Sequence, residues 1–220
     1  MIEVAYAPAL PVVAPCLDAD EARRLAALRD AEARLAFEQA HSLKRRLLSR
    51  RHPGVEPGAW RFGCDARGKP SLAGASVPGL HFNLSHARRA VAVAFASCPV
   101  GVDTERHRPC NRDRIAAGLF HARERRWIEG CVDREVAFFR LWTLKEALVK
   151  ASGRGLTRAM AEVAWEGLEG DRCEARWDGR RWMGFSRCEG GLSTSVVVQM
   201  DAGTGAPRWE RVEAVAAAGD

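Results

Sequence analysis

The stretch Arg140–Leu156, RLWTLKEALVKASGRGL, decides the fold of this chain. In it and just before it, apolar residues recur at steps of four, three, four and three, at Ala137, Leu141, Leu144, Leu148 and Ala151. This spacing places one apolar stripe along a helix. The other faces carry Lys145, Glu146 and Lys150, and Gly153 is expected to end the helix. The stretch therefore predicts an amphipathic helix with charged side chains beside its buried stripe.

Two acids upstream of this helix point to chemistry. Asp103 and Glu105 follow an apolar run and stand two residues apart, so an extended strand directs both side chains to one side. If the helix brings Glu146 opposite them, three carboxylates surround one point. Such hard oxygen donors suit Mg²⁺, which completes its shell with water and phosphate oxygens. The sequence therefore predicts a magnesium site at these acids; His107 is an alternative ligand, although Mg²⁺ favours oxygen.

Taken alone, the charged residues have simpler interpretations. A Glu–Lys pair one turn apart, such as Glu146 and Lys150, is typical of a solvated helix surface. With the strand acids nearby, however, Lys145 and Lys150 would meet phosphate charge. An earlier helix carries five basic residues that predict a solvated cationic face. They are Lys44, Arg45, Arg46, Arg50 and Arg51.

Four sequence blocks occur in a characteristic order. They are GKP at 68–70, FNLSH at 82–86, VGVDTE at 100–105 and LWTLKEALVKASGRGL at 141–156. Together they resemble the 4'-phosphopantetheinyl transferase superfamily in its longer, Sfp-like, single-chain form. The resemblance covers the chain from about Arg45 to Leu156. Thr104 departs from the pattern, because the family often has an apolar residue between the two acids; the acids themselves are unaffected.

The resemblance implies an α+β fold of two related α/β subdomains with pseudo-twofold symmetry. Each subdomain would be a small antiparallel sheet packed with helices, and the active site would lie in the cleft between them. Residues 1–99 would form the N-terminal subdomain with the coenzyme A nucleotide contacts. Residues 100–220 would form the C-terminal subdomain with the metal site and the catalytic helix.

The resemblance also implies an activity. The 4'-phosphopantetheine group would move from coenzyme A to a serine of an apo acyl or peptidyl carrier protein, with release of 3',5'-ADP. Asp103, Glu105 and Glu146 would hold Mg²⁺. Glu146, directly or through a metal-bound water, would accept the serine proton. Lys150 would stabilise or protonate the leaving phosphate.

Coenzyme A contacts follow from the same resemblance. Arg45 matches the arginine that closes a helix of the pattern Ala-x-x-Leu-x-Arg-x-Leu-Leu and contacts phosphate in the family. Lys69 lies in the Gly-Lys-Pro segment that borders the nucleotide, and Ser85 with His86 would lie against the 3'-phosphoadenosine portion. Lys145 and Lys150 would also contact the coenzyme. By position alone, a loop lysine is ordinarily solvent-exposed, and a histidine at a strand end is ordinarily a structural hydrogen-bonding residue.

Composition sets wider limits. The 220 residues are 47% hydrophobic and 28% charged, typical of a globular protein. The net charge of +6 suits nucleic acid, an acidic carrier protein or coenzyme A phosphates equally well. Seven scattered cysteines without a CxxC pair predict free thiols. With no evident secretory signal or membrane span, the expectation is a cytoplasmic enzyme without a membrane partner. Since both half-sites lie in one chain, a monomer is expected.

Coarse patterns predict the remaining elements. Asp18 or Asp20 would cap a helix that runs to Leu28, Asp30 would cap the next helix, and Asp133 would cap the helix that carries Glu146. Further predicted elements are strands at 2–6, 10–13, 80–86, 89–96, 161–165, 173–177, 181–187, 192–200 and 209–215, and helices at 112–119 and 123–131. Two other functions stay open: a metal-dependent phosphohydrolase that uses the same acids, and a basic nucleic-acid-binding module. No aromatic-basic platform supports the latter.

Overall fold

A computed structural model of the protein describes residues 1–8, 13–64, 69–73, 77–87, 89–154, 158–200 and 204–212. In these ranges the helices are α1 Ala19–Ala27, α2 Ala31–Arg51, α3 Arg112–Leu119, α4 Ala122–Gly130 and α5 Arg134–Ser152. The strands are β1 Ile2–Ala7, β2 Phe62–Cys64, β3 Pro70–Leu72, β4 His81–Ala87, β5 Ala90–Ala96, β6 Val100–Arg106, β7 Arg172–Trp177, β8 Arg180–Glu189, β9 Leu192–Gln199 and β10 Arg208–Arg211. None of the helices in this part of the chain is both long and apolar enough to cross a membrane.

The strands form two four-stranded sheets and one short hairpin. The first sheet has the order β10-β1-β5-β4, the second has the order β6-β9-β8-β7, and β2 pairs with β3. Neighbouring strands are antiparallel except for β1 and β10, which are parallel. The predicted α+β class is confirmed. The division at residue 99 and the pseudo-twofold relation stay predictions, and β10 returns the end of the described chain to the first sheet.

Aspartates begin three of the helices, as the sequence predicts. The Oδ1 atoms of Asp18, Asp30 and Asp133 each accept a hydrogen bond from a backbone amide three residues on, at 2.9, 2.7 and 2.9 Å. These bonds satisfy amides that have no partner within the helix. At the other end of α5, Gly153 adopts a left-handed conformation with φ of 70°. The helix thus ends where the sequence predicts.

Helix α5 is more buried than an amphipathic helix would be. All five residues of the predicted stripe are buried, but so are Phe138, Phe139 and Lys145 on other faces. Helix α5 packs directly against β6, where a Cβ at Gly101 would lie only 2.0 Å from the carbonyl oxygen of Ala147. Since only glycine permits this approach, Gly101 holds the acidic end of β6 against the helix.

The two four-stranded sheets meet through an apolar layer. Alternate residues of β1 and β5 pack against β6, β8 and β9 there, including Val4, Ala94, Val102 and Val196. Strands β4 and β6 also lie side by side, where the Val102 amide donates to Asn83 Oδ1 at 2.9 Å. Helix α2 covers the other face of the first sheet, and α5 covers that of the second. The side chains that lie between β4, β6 and α5 are therefore positioned by the packing of both four-stranded sheets.

One predicted strand is wrong. Residues 161–165 do not form a strand; a 3₁₀ helix spans Arg158–Glu162 instead. The carbonyl oxygens of Met160 and Val163 point inward and accept hydrogen bonds from Lys145 Nζ instead of bonding to a neighbouring strand.

Residues 9–12, 155–157 and 213–220 lie outside the described residues, and so do parts of the predicted strands at 10–13 and 209–215. All seven cysteines are free thiols, as predicted.

Candidate active site

Three side chains from different elements meet at the junction of the two sheets. Asp103 on β6 accepts hydrogen bonds at Oδ1 from Ser85 Oγ on β4, at 2.9 Å, and from Lys150 Nζ on α5, at 2.7 Å. Lys150 Nζ also donates to Ser85 Oγ at 3.0 Å. Sequence blocks that are far apart in the chain thus converge in a closed triangle. Of the predicted site residues, these three are joined by direct contacts.

The second oxygen of Asp103 has no hydrogen-bond partner among the described residues. The Asp103 side chain is 7% exposed, and its Oδ2 atom is buried. A buried polar atom in this condition costs about 1–3 kcal/mol. An oxygen left unsatisfied within an otherwise bonded carboxylate is suited to receive a ligand that the protein itself does not supply.

Glu146 and Glu105 increase the negative charge around Asp103. Burial raises the pKa of Glu146 to about 7, and the charges of Asp103 and Glu105 add to this rise, although Lys150 opposes it. Burial and Asp103 also raise the pKa of Glu105, against the opposing effects of Arg108 and of a hydrogen bond from Trp142. Three mutually repelling acids are therefore served by too little positive charge.

The three acids fit a hard divalent cation in donor type, in excess negative charge and in the orphaned Asp103 oxygen. Their side chains are not drawn together into a cage, however. Within the described ranges, no group of three or more His, Cys, Asp or Glu side chains is placed to hold a metal ion. The described structure therefore supplies suitable oxygen donors for the predicted magnesium site but does not arrange them into a closed site. The Lys150 ammonium contacts one of the donors, Asp103.

A cavity of about 680 Å³ opens beside the triangle. Ser85, His86 and Lys150 line one part of it, while Arg24 and Lys44 line another. Its volume is in the range of sites for small molecules and cofactors. The wall is of mixed charge, because Asp18, Asp20 and Glu21 line it together with Arg24, Lys44 and Lys150. Since Lys44 is paired with Glu21, an anionic ligand of nucleotide size would draw mainly on Arg24 and Lys150.

His86 reports the electrostatic character of this wall. Its pKa is lowered to about 4, first by the protein atoms packed around the ring and then by the positive charges of His41, Lys150 and Arg24. Although part of the side chain is exposed, the imidazole is neutral at neutral pH. The wall around His86 therefore carries positive potential without charge on the imidazole.

Arg45 does not reach the cavity. Its side chain is fully buried, and its guanidinium donates to Asp18 Oδ2 at 2.5 Å, to Glu21 Oε2 at 2.8 Å and to the carbonyl oxygens of Pro57 and Trp60. These acceptors use the donor capacity of the guanidinium. The expected direct phosphate contact would require Arg45 to leave them, so the geometry assigns it a structural role.

Two of the predicted phosphate-binding lysines also contact protein groups instead. Lys145 Nζ is buried and lies 2.8 Å from Glu124 Oε2, a partner that the sequence analysis does not predict. Lys69 Nζ donates to the carbonyl oxygens of Val100 and Ala151, each at 2.9 Å, and so ties its loop to β6 and to the end of α5. Neither lysine is among the described residues that line the 680 Å³ cavity.

The sequence interpretation missed part of the cavity wall. Lys44, expected on a solvated face, is buried, with Nζ 2.6 Å from Glu21 Oε1 and 3.4 Å from the centre of the Phe62 ring. Arg24 and His41 also line the cavity. The capping box of Asp18 and Glu21 could have placed Glu21 at the start of α1 from the sequence. The pairing of Glu21 with Lys44 on α2 depends on tertiary packing, which the sequence pattern does not reveal.

Comparison with known proteins gives consistent results. Residues 99–199 match the family model of the 4'-phosphopantetheinyl transferase superfamily. The chain is 34% identical over 151 residues to the 4'-phosphopantetheinyl transferase HetI of Nostoc sp., covering 66% of this chain and 63% of that protein. It is 33% identical over 117 residues to the 4'-phosphopantetheinyl transferase Sfp of Bacillus subtilis, covering 52% of this chain and 50% of Sfp. The matches therefore span less than two thirds of either relative.

Proposed function

Because the chain belongs to the 4'-phosphopantetheinyl transferase superfamily, we propose that it transfers 4'-phosphopantetheine from coenzyme A to a serine hydroxyl of an apo acyl or peptidyl carrier protein. The other product would be 3',5'-ADP. The observation that carries this proposal is the contact of Lys150 with both Ser85 and Asp103, at the edge of the 680 Å³ cavity and beside the acids Glu105 and Glu146.

The reaction makes three demands on the protein. The serine oxygen must attack the phosphorus that bears the pantetheine arm, its proton must be removed, and the departing phosphate of 3',5'-ADP must be stabilised. Glu146 is the proposed acceptor of the serine proton, because its half-buried carboxylate lies near Asp103 and Lys150. Lys150 faces the cavity and is suited to stabilise or protonate the leaving phosphate.

Asp103, Glu105 and Glu146 are the proposed ligands of Mg²⁺. When bound, the ion would neutralise charge on the diphosphate. The support is the oxygen donor set and the buried Asp103 Oδ2 atom that lacks a partner. In this proposal Ser85 holds Asp103 in place through its hydrogen bond.

The 680 Å³ cavity is the proposed site for the nucleotide end of coenzyme A. Ser85 and His86 would border the adenosine portion, while Arg24 and Lys44 provide positive charge. Arg45, Lys69 and Lys145 would act indirectly, by stabilising the elements that surround the cavity.

We retain residues 1–99 and 100–220 as the proposed subdomains, with a monomer as the working unit. The free thiols suit the reducing cytoplasm as its proposed location.

Intact-mass spectrometry tests this function. A purified apo carrier protein would be incubated with the chain, coenzyme A and Mg²⁺, with a parallel sample containing a chelator. We expect a metal-dependent gain of one phosphopantetheine mass on the carrier serine. The Asp103→Asn variant should lose this gain, whereas Glu174→Gln, at a partly exposed acid on β7 away from the cavity, should keep it.

The same samples separate the alternative functions. Release of nucleotide from coenzyme A without modification of the carrier would support a phosphohydrolase. Tight binding of nucleic acid that persists in Asp103→Ala, without transfer to any of several carriers, would support a basic binding module. Either result would contradict the transferase proposal.

A further inference from the structure

Lys150 occupies a position between two anionic sites. On one side its ammonium contacts Asp103 Oδ1 at 2.7 Å. On the other side it lines the 680 Å³ cavity, and 29% of its side chain is exposed. The side chain is thus buried enough to form a strong pair and open enough to change partners.

The pairing has a consequence for any cation that binds Asp103. The ammonium uses the bonded oxygen of this carboxylate, and it brings a positive charge within a few ångströms of the unbonded one. Two positive charges at this separation repel, and the repulsion is weakly screened at a buried site. A divalent cation must therefore bind against the field of Lys150, or Lys150 must move.

A ligand in the cavity can supply the reason to move. A phosphate anion beside Lys150 offers its ammonium an acceptor on the side away from Asp103. If Lys150 turns toward this acceptor, Asp103 loses its counter-ion and its affinity for a cation rises. Ser85 Oγ, which contacts both groups, can keep the carboxylate in position during the exchange.

We propose that Lys150 is a movable counter-ion of Asp103, which weakens divalent-cation binding in the empty protein and couples cation binding positively to binding of a diphosphate in the cavity. The inference rests on the proposed function, since coenzyme A is taken as the diphosphate. It adds a binding order to that function: the affinity of the acids for the divalent cation reaches its full value only after coenzyme A has bound. By linkage, the cation must raise coenzyme A affinity by the same factor.

The test measures binding of Mn²⁺ by electron paramagnetic resonance, without coenzyme A and with saturating coenzyme A, after correction for Mn²⁺ held by free coenzyme A. For the wild type we expect coenzyme A to tighten Mn²⁺ binding about tenfold, a typical coupling between sites. Lys150→Met should bind Mn²⁺ about tenfold tighter than the wild type without coenzyme A. Its coupling should be weaker than the wild-type coupling, and what remains would come from direct attraction between the cation and the diphosphate. Lys150→Arg should retain coupling.

The matched control is Arg154→Met. Arg154 lies four residues further along the chain, is exposed and pairs with Asp178 at 2.7 Å, so its loss removes one positive charge without touching the acids. Its Mn²⁺ affinity should stay within about twofold of the wild type, because solvent screens an exposed charge. Circular dichroism verifies folding, and Lys150→Gln replaces the methionine variant if that variant does not fold.

Two failures can be told apart. If the wild type binds both Mn²⁺ and coenzyme A but Lys150→Met binds Mn²⁺ no tighter than the wild type, the counter-ion inference is wrong while the proposed function survives. If the wild type binds neither ligand, the proposed function and the inference fall together.

Discussion

Two buried groups of charges in this protein are arranged in opposite ways. Around Glu21, the acid is matched by close partners: Lys44 Nζ and the imidazole Nδ1 of His41 lie 2.6 and 2.8 Å from Oε1, and Arg45 contacts Oε2. Around Asp103, Lys150 contacts one carboxylate oxygen and Arg108 contacts Glu105, but among the described residues the other, buried oxygen of Asp103 has no hydrogen-bond partner. The first group satisfies its own charges, whereas the second depends on something that the protein does not provide.

The acids respond accordingly. Burial opposes the ionisation of Glu21, but hydrogen bonds from His41 and Lys44 and the charge of Lys44 outweigh it and hold the pKa of Glu21 well below 4.5. At Glu146, burial and neighbouring acids act together and raise the pKa to about 7. The comparison teaches that the charged residues which stabilise this fold are those with complete pairing. Incomplete pairing marks the candidate active site.

The largest effect on stability is expected from breaking the complete group. Glu21→Gln keeps the shape of the side chain but leaves Lys44 and Arg45 buried without their acid, so the free energy of unfolding should fall by about 3–5 kcal/mol. Urea unfolding at pH 7 measures this. Because the folded pKa of Glu21 is lowered, its contribution is present above pH 4.5 and is lost as the pH falls further.

The control for Glu21→Gln is the exposed acid Glu32 in the first turn of α2. Glu32→Gln should change the free energy of unfolding by less than about 1 kcal/mol, because solvent screens its charge. An equal, small effect of both substitutions would contradict a structural role for the Glu21 group.

A smaller loss is expected at Lys145. In Lys145→Met, Glu124 would lose its lysine partner but keep hydrogen bonds from the amides of His121 and Trp165 at 2.7 and 2.9 Å. We therefore expect a loss of about 2–3 kcal/mol in the free energy of unfolding, less than for a fully unpaired charge. Coenzyme A affinity, measured by calorimetry on the folded fraction, should be nearly unchanged. A large loss of affinity without loss of stability would return Lys145 to the phosphate site.

The sequence predicts some features of the fold and of the candidate site but not others, as a comparison of Lys150 with Lys145 shows. Local rules predict the caps at Asp18, Asp30 and Asp133 and the end of α5 at Gly153, because each depends on neighbours within a few residues. The resemblance selects Asp103 and Lys150, which the structure joins directly.

The contacts that the sequence does not predict share a physical cause. Lys145 pairs with Glu124 and Arg45 pairs with Glu21, more than twenty residues away in sequence. Helical periodicity places a charged residue relative to its own helix, but it does not reveal a buried partner on another element. The 3₁₀ helix at Arg158–Glu162 is not predicted for the same reason, because the Lys145 ammonium binds the carbonyl oxygen of Met160 in this segment.

The smallest expected effect is a gain in stability at the incomplete group. The raised pKa of Glu146 means that the folded protein holds this proton more tightly than the unfolded chain does. Ionisation therefore weakens the fold as the pH rises from 4.5 to about 7. Glu146→Gln removes this cost and should be about 1 kcal/mol more stable than the wild type at pH 8, since solvent partly screens a half-buried group.

Unfolding at two pH values checks this gain. Near pH 4.5, where the wild-type side chain is largely protonated in the fold, Glu146→Gln and the wild type should differ little. A variant that is less stable than the wild type at pH 8 would show that Glu146 is satisfied in the fold.

The central claim is that the acids left short of positive charge carry the reaction. The most direct test is the initial rate at which apo carrier protein gains phosphopantetheine from coenzyme A in the presence of Mg²⁺. This rate is measured by intact mass for the wild type, Glu146→Gln and the partly exposed control Glu174→Gln. We predict that Glu146→Gln lowers the rate by about a thousandfold, as loss of a general base does, while its unfolding free energy is kept or raised. A rate for Glu146→Gln equal to that of the wild type and of Glu174→Gln would contradict the claim.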